Sequence, residues 1–169
     1  MFTSHALRPD PDPARAAAPA AAPIEDADEV RIETRFGELW FKRENAIAMP
    51  SGLPGFGGYR EFALAHLPDL KLGDFVLFQC LTEPELAFLV LPLALDNPLI
   101  KPADVEEALQ TTQVPREDAA LLLIVTRRAE PEGIQTSANL RAPIVIDTRR
   151  KLARQYVMPN GDYAIRHAL

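Results

Sequence analysis

Arg150 and Arg154 stand four residues apart, a spacing at which two guanidiniums can grip a phosphate or the edge of a guanine. Small β-domains that bind cyclic dinucleotides use that arrangement, but the D-x-S-x-x-G run that accompanies the arginines there is absent. Gly55-Phe56-Gly57-Gly58 has the composition of a phosphate cradle. It lacks the third glycine at the required offset, and residues 59–67 read as a strand where a cradle needs the start of a helix. A turn explains these glycines better. In Leu53-Pro54-Gly55 the proline sets φ and the glycine takes a positive one, which leaves Leu53 and Phe56 to anchor in a core or meet a partner. His5, His66 and His167 have no second ligand at metal-site spacing, and neither a nucleophile elbow nor a P-loop occurs. Cys80 is the only cysteine and ends an apolar run, so it reads as a buried structural thiol; an intramolecular disulfide or thiolate-rich zinc site is excluded. These residues point away from an enzyme and call for no cofactor.

The elements that must position such groups are short and broken by Gly and Pro. Residues 30–36 alternate apolar and polar side chains, Gly37 gives a turn, and residues 38–41 return, which reads as a tight hairpin. Further strands are expected at 46–49, 60–67, 75–81, 87–91, 120–127, 143–148 and 154–158. Residues 121–125 are apolar on both faces, as in a central strand covered on both sides. Residues 102–109 open with proline and acids and carry Val105, Ala108 and Leu109 at helical spacing, so a short amphipathic helix is expected, with a second helical turn at 116–119. Asn139 precedes Pro143 and a strand, and is placed to bond neighbouring backbone in a turn. At the end of the chain, Arg166 either docks the terminus by ion pairing or is loose. No internal repeat occurs. The whole reads as an all-β fold, a small antiparallel β-barrel or sandwich-like domain with one or two short helices.

A chain of 169 residues with 47% hydrophobic and 25% charged residues supports one domain with a real core. Residues 1–28 differ in composition, with five prolines and many alanines; they read as a disordered tail, with a start-site artefact as the alternative, and residues 29–169 as the β domain. The net charge of −6 argues against a non-specific nucleic-acid binder and is compatible with a basic partner. No apolar run approaches the roughly 20 residues of a membrane-spanning helix. The N-terminus lacks the basic start of a signal peptide, so the expected location is the cytoplasm. Between residues 96 and 118, Asp96, Asp104, Glu106, Glu107, Glu117 and Asp118 face only Lys101 and Arg116, while residues 127–154 are rich in arginine. Solvated faces are the plain reading of both; the acidic one also suits a basic partner.

Four stretches, in their order and spacing, resemble the flagellar assembly factor FliW family. They are Pro50-Ser51-Gly52-Leu53-Pro54-Gly55-Phe56, Glu83-Pro84-Glu85-Leu86-Ala87-Phe88, residues 137–146 around Asn139-Leu140-Arg141-Ala142-Pro143, and the closing Tyr163-Ala164-Ile165-Arg166-His167-Ala168-Leu169. The resemblance runs from about residue 30 to the end. It departs at Ala168, where the family's terminal motif carries proline, at Arg149-Arg150-Lys151, a turn without glycine or asparagine, and at the Ala/Pro tail. It implies a small, cytoplasmic, all-β protein that is not an enzyme and works by partner exchange. Such a protein binds newly made flagellin and also CsrA, a basic RNA-binding translational regulator, away from that regulator's RNA surface. Accumulating flagellin then frees the regulator and lowers flagellin translation, with no direct nucleic-acid or membrane partner. On this reading Glu83, Glu85, Asp104, Glu106 and Glu107 are the expected contacts for CsrA, Leu53 and Phe56 those for flagellin, and Asn139 a further candidate contact. The alternatives are a flagellin chaperone without the regulatory arm and a cyclic-dinucleotide module built on Arg150 and Arg154.

Overall fold

The computed structural model describes residues 28–66 and 73–169; the expected tail, up to residue 27, lies outside them. Eleven strands and one α-helix are described: β1 Glu29–Thr34, β2 Gly37–Lys42, β3 Ile47–Ala48, β4 Glu61–Ala65, β5 Val76–Cys80, β6 Ala87–Leu93, α1 Pro102–Thr112, β7 Ala119–Glu130, β8 Gly133–Ala138, β9 Ile144–Asp147, β10 Leu152–Gln155 and β11 His167–Ala168. β7 is the organising strand. One edge pairs with β6 through residues 121–125, while its other edge pairs first with β9 through 119–122 and then with β8 through 125–130. Following the pairings from β7 through β6, β5, β4, β3, β10 and β9 returns to β7, so seven strands close a small barrel. β8 and β11 extend the sheet beyond it, and β1 and β2 form a separate hairpin.

The all-β expectation holds, with one exception to its antiparallel form. β3 and β10 pair in parallel through Ala48 and Leu152, and this short seam completes the ring. Alternation along the strands fills the interior. Val76, Phe78 and Cys80 of β5 meet Phe62, Val90, Leu122, Ile144 and Ile146, and the rings of Phe62 and Phe78 stack at 4.6 Å. The opposite faces of β7 and β9 are covered by Val105, Ala108 and Leu109 of α1, packed with Leu121, Leu123 and Val145. This double burial explains the unbroken apolar run at 121–125. The β1–β2 hairpin contributes Ile32 and Phe41 to a third cluster around Ala63 of β4.

Three local differences from the sequence reading have physical causes. β8, Gly-Ile-Gln-Thr-Ser-Ala, is too polar and exposed to show a buried-strand pattern; it is a strand because β7 runs on to Glu130 and offers it a partner. The two-residue β11 pairs with Ala138 and Ser137, so backbone pairing docks the chain end, and Arg166 makes no ion pair among the described residues. β10 begins at Leu152 instead of 154 because the preceding turn is held by a side chain. Asp147, 1% exposed, accepts from the Arg150 backbone N–H at 2.6 Å and from Arg150 Nε at 2.6 Å. With the turn fixed this way, Lys151 takes the left-handed φ of +53° that glycine or asparagine usually supplies.

Those bonds from Arg150, its backbone N–H first and its guanidinium next, hold the Asp147 carboxyl below its ordinary value despite burial. A lowered folded-state value stabilises the fold above the ordinary carboxylate pKa of about 4, and that stability is lost as pH falls through the lowered value. Urea melts over acidic pH should therefore show a steeper loss of stability for the wild type than for Asp147→Asn. Parallel curves would contradict this role for Asp147.

Candidate functional site

Two loops meet at one end of the barrel. In the first, Gly52 has φ +62°, and a Cβ there would lie 2.6 Å from Gly57 Cα and 2.7 Å from Phe56 O, so only glycine fits. The Phe56 N–H donates to Leu53 O at 2.7 Å, closing the Leu53-Pro54-Gly55 turn, in which Gly55 has φ +84°. The turn sends its two apolar side chains in different directions. Leu53 is 2% exposed and packs in the barrel interior, whereas Phe56 is 38% exposed and sets its ring edge-on to Phe88 at 5.4 Å. The expectation that both offer themselves to a partner is thus divided by the structure: Leu53 is an anchor and Phe56 is surface. A Leu53→Asp change would bury an unpaired carboxylate and strike the fold first.

The second loop, Glu83 to Leu86, precedes Phe88 and is pinned from below by a residue that the sequence reading passed over. Gln79, fully buried, sets Nε2 within 3.0–3.3 Å of the carbonyls of Cys80, Glu83, Pro84 and Leu86, which share its two N–H donors. Glu85 is exposed and Glu83 half-buried above this clamp. A glutamine inside the apolar run 75–81 was the available signal, since a buried amide N–H seeks acceptors; its Oε1 has no partner among the described residues. The Phe56–Phe88 contact brings the two loops together, as their motifs do not in sequence.

α1 carries the second set of candidates. Its buried side is fixed to the sheet and its acids face outward: Glu106 and Glu107 are exposed and Asp104 is half-buried. Asp104 accepts from the Tyr163 hydroxyl and from Asn160 Nδ2, while the Tyr163 hydroxyl accepts the Lys101 backbone N–H at 3.0 Å. Burial, and then the bond to Asp104, push the Tyr163 phenol up, so it stays a neutral donor. Asp104 therefore ties the C-terminal segment to the start of the helix. Tyr156 is raised for the same kind of reason, burial first and then a bond to Glu107. Lys101 pairs with Asp162 at 2.6 Å and Arg116 pairs with Glu106.

Asn139 acts locally. Its Oδ1 accepts the backbone N–H of Arg141 at 3.1 Å and of Ala142 at 3.2 Å, the turn role read from sequence. Arg150 is committed to Asp147 and to Gln113 O at 2.8 Å, so the arginine pair lacks one free arm for a cyclic dinucleotide. At another part of the barrel an apolar concavity of about 470 Å³ is lined by Ile47, Leu64, Leu93, Leu122 and Ile146, with Lys151 beside them. Its lining comes from strands far apart in sequence, which is why no motif announced it.

The FliW protein family model matches residues 31–169. The chain belongs to the FliW family. A flagellar assembly factor FliW from Syntrophus aciditrophicus (strain SB) is 35% identical over 135 residues, covering 79% of this chain and 83% of that relative. One from Geotalea uraniireducens (strain Rf4) is 37% identical over 137 residues, covering 79% and 80%. A crystal structure of the flagellar assembly factor FliW superimposes with a TM-score of 0.61 at 26% identity, over 82% of this chain and 95% of that one. The FliW match takes in both loops, α1 and β11, so the whole candidate surface lies within it. These FliW relatives are named as flagellar assembly factors. Among the described residues no helix is long and apolar enough to cross a membrane.

Because Gly52 has both a positive φ and backbone within 2.6 Å of any Cβ, Gly52→Ala should cost on the order of 2–4 kcal/mol. Gly55→Ala, with open space at its Cβ, should cost less. Chemical denaturation of the two variants checks this; equal losses would contradict the crowding at Gly52.

Proposed function

We propose that this chain binds flagellin and a basic, CsrA-type RNA-binding regulator, and that flagellin displaces the regulator. The chain then couples flagellin level to flagellin translation without catalysis, in the cytoplasm. Membership of the FliW family supports the class of role, and the charge on and around α1 supports the regulator site. Lys101 and Arg116, the cations of segment 96–118, are each taken by a carboxylate. That leaves Asp96, Asp104, Glu107, Glu117 and Asp118 without an ion pair among the described residues. Five uncompensated carboxylates on and beside a helix docked to the barrel favour a basic partner and speed its encounter. Glu83 and Glu85 offer further negative charge on the barrel-end loop. Phe56, exposed beside Phe88, is the apolar contact we assign to flagellin.

The chain and its own organism's flagellin and CsrA-type regulator, mixed pairwise and together, test this by size-exclusion chromatography. Each partner should co-elute with the chain, and flagellin should release the regulator. Binding of flagellin alone would favour the dedicated chaperone, and binding of neither would remove the proposal. Glu106→Lys/Glu107→Lys should weaken regulator binding about tenfold or more at low salt. Unchanged affinity there would move the regulator site away from α1. Phe56→Asp should reduce flagellin binding while the chain stays folded, with a lower melting temperature from loss of the Phe88 contact; intact flagellin binding would remove Phe56 from that contact.

A further inference from the structure

A groove of about 500 Å³ lies between the tip of the β1–β2 hairpin and the outer face of the sheet. Its floor is a consequence of register. Leu77 of β5 pairs with Leu89 of β6, and Leu89 with Val125 of β7, so three apolar side chains form one row across three adjacent strands. Leu89 at the centre is only half-buried. Arg35 and Phe36, at the hairpin tip, form one wall, with the Arg35 guanidinium 4.8 Å from the Phe36 ring centroid. Arg127 stands on the other side, two residues beyond Val125 on the same face of β7. Neither arginine makes an ion pair among the described residues, and no carboxylate appears among the lining residues.

We propose that this groove is a docking site for a partner polypeptide segment that presents a bulky apolar side chain flanked by carboxylates. The apolar side chain covers Leu89, the half-buried member of a row whose other two residues, Leu77 and Val125, are already buried, and the carboxylates pair with Arg35 and Arg127. Charge complementarity selects this occupant: two guanidiniums without acidic partners among the described residues frame an apolar floor, and a basic or wholly apolar segment would leave them uncompensated. The groove is opposite in charge preference to the acidic surface at α1 and shares no residue with it. The chain therefore offers a site for an acidic segment separate from the site proposed for a basic regulator, and this holds whether or not that regulator assignment stands.

The test is selection of a phage-displayed random-peptide library on the full folded chain, followed by fluorescence anisotropy with the enriched peptides. Both arginines are on the surface, so Arg35→Glu/Arg127→Glu should fold; circular dichroism and thermal melting verify that. The expected result is an enriched motif with Leu, Ile, Phe or Trp next to Asp or Glu. Its affinity should fall about tenfold or more in the double variant and stay unchanged in Glu106→Lys/Glu107→Lys. Enrichment of basic peptides only, or acidic peptides that bind the folded double variant as tightly as wild type, would overturn the proposal. So would concentration-dependent self-association, seen by analytical ultracentrifugation and abolished in the double variant, because the groove would then belong to a second copy of the chain.

Discussion

β7 is the strand on which the rest of this structure depends. It is buried on both faces over residues 121–123, and its edges are shared among three neighbours: β6 on one side, β9 and then β8 on the other. Its pairing with β9 closes the barrel, its outer face supports α1, and its extension carries the β8–β11 flap that holds the chain end. Every candidate surface is referred to this strand. α1 sits on its outer side, the groove under the hairpin tip uses Val125 and Arg127, and the Phe56–Phe88 contact reaches it through β6. Burying an apolar side chain contributes roughly 1.5–3 kcal/mol, so a polar substitution at Leu121 or Leu123 would disturb core and surfaces together.

The distribution of paired and unpaired charge gives this barrel its functional character. Cations near α1 are neutralised by neighbours, leaving a net acidic surface, while Arg35 and Arg127 on another face have no such partners among the described residues. Charges left uncompensated on a folded surface add little to stability and serve better for encounter and selection of partners. The buried polar groups have a different task. Gln79 shapes the Glu83–Leu86 loop, Asp147 holds the β9–β10 turn, and the Tyr163 hydroxyl ties the last segment to α1. Each fixes backbone whose neighbours carry the exposed groups.

Much of the architecture was legible in the sequence because it rests on local pattern. The alternation at 30–36 with Gly37 announced the first hairpin, the run at 121–125 announced the doubly covered strand, and Pro102 with Val105, Ala108 and Leu109 announced α1. What was not legible depends on long-range pairing. β8 has no apolar signature and exists because β7 needs a neighbour; the parallel β3–β10 seam joins residues about a hundred positions apart. The loop motifs were visible as residues but not as directions: Gly52 and Pro54 marked a turn without showing that Leu53 goes inward and Phe56 outward. The groove framed by Arg35 and Arg127 has no sequence motif at all, since strand register alone brings its parts together.

Hydrogen–deuterium exchange of the chain, free and bound separately to the CsrA-type regulator and to flagellin, tests the central claim most directly: the regulator is held at α1 and flagellin at the Pro50–Phe56 loop, and binding of flagellin weakens the hold on the regulator. The account predicts that the regulator protects the α1 segment from Pro102 to Gln113, that flagellin protects the Pro50–Phe56 loop, and that β7 exchanges slowly in every state. Identical footprints for the two partners, or protection that spares both α1 and the barrel-end loops, would contradict it.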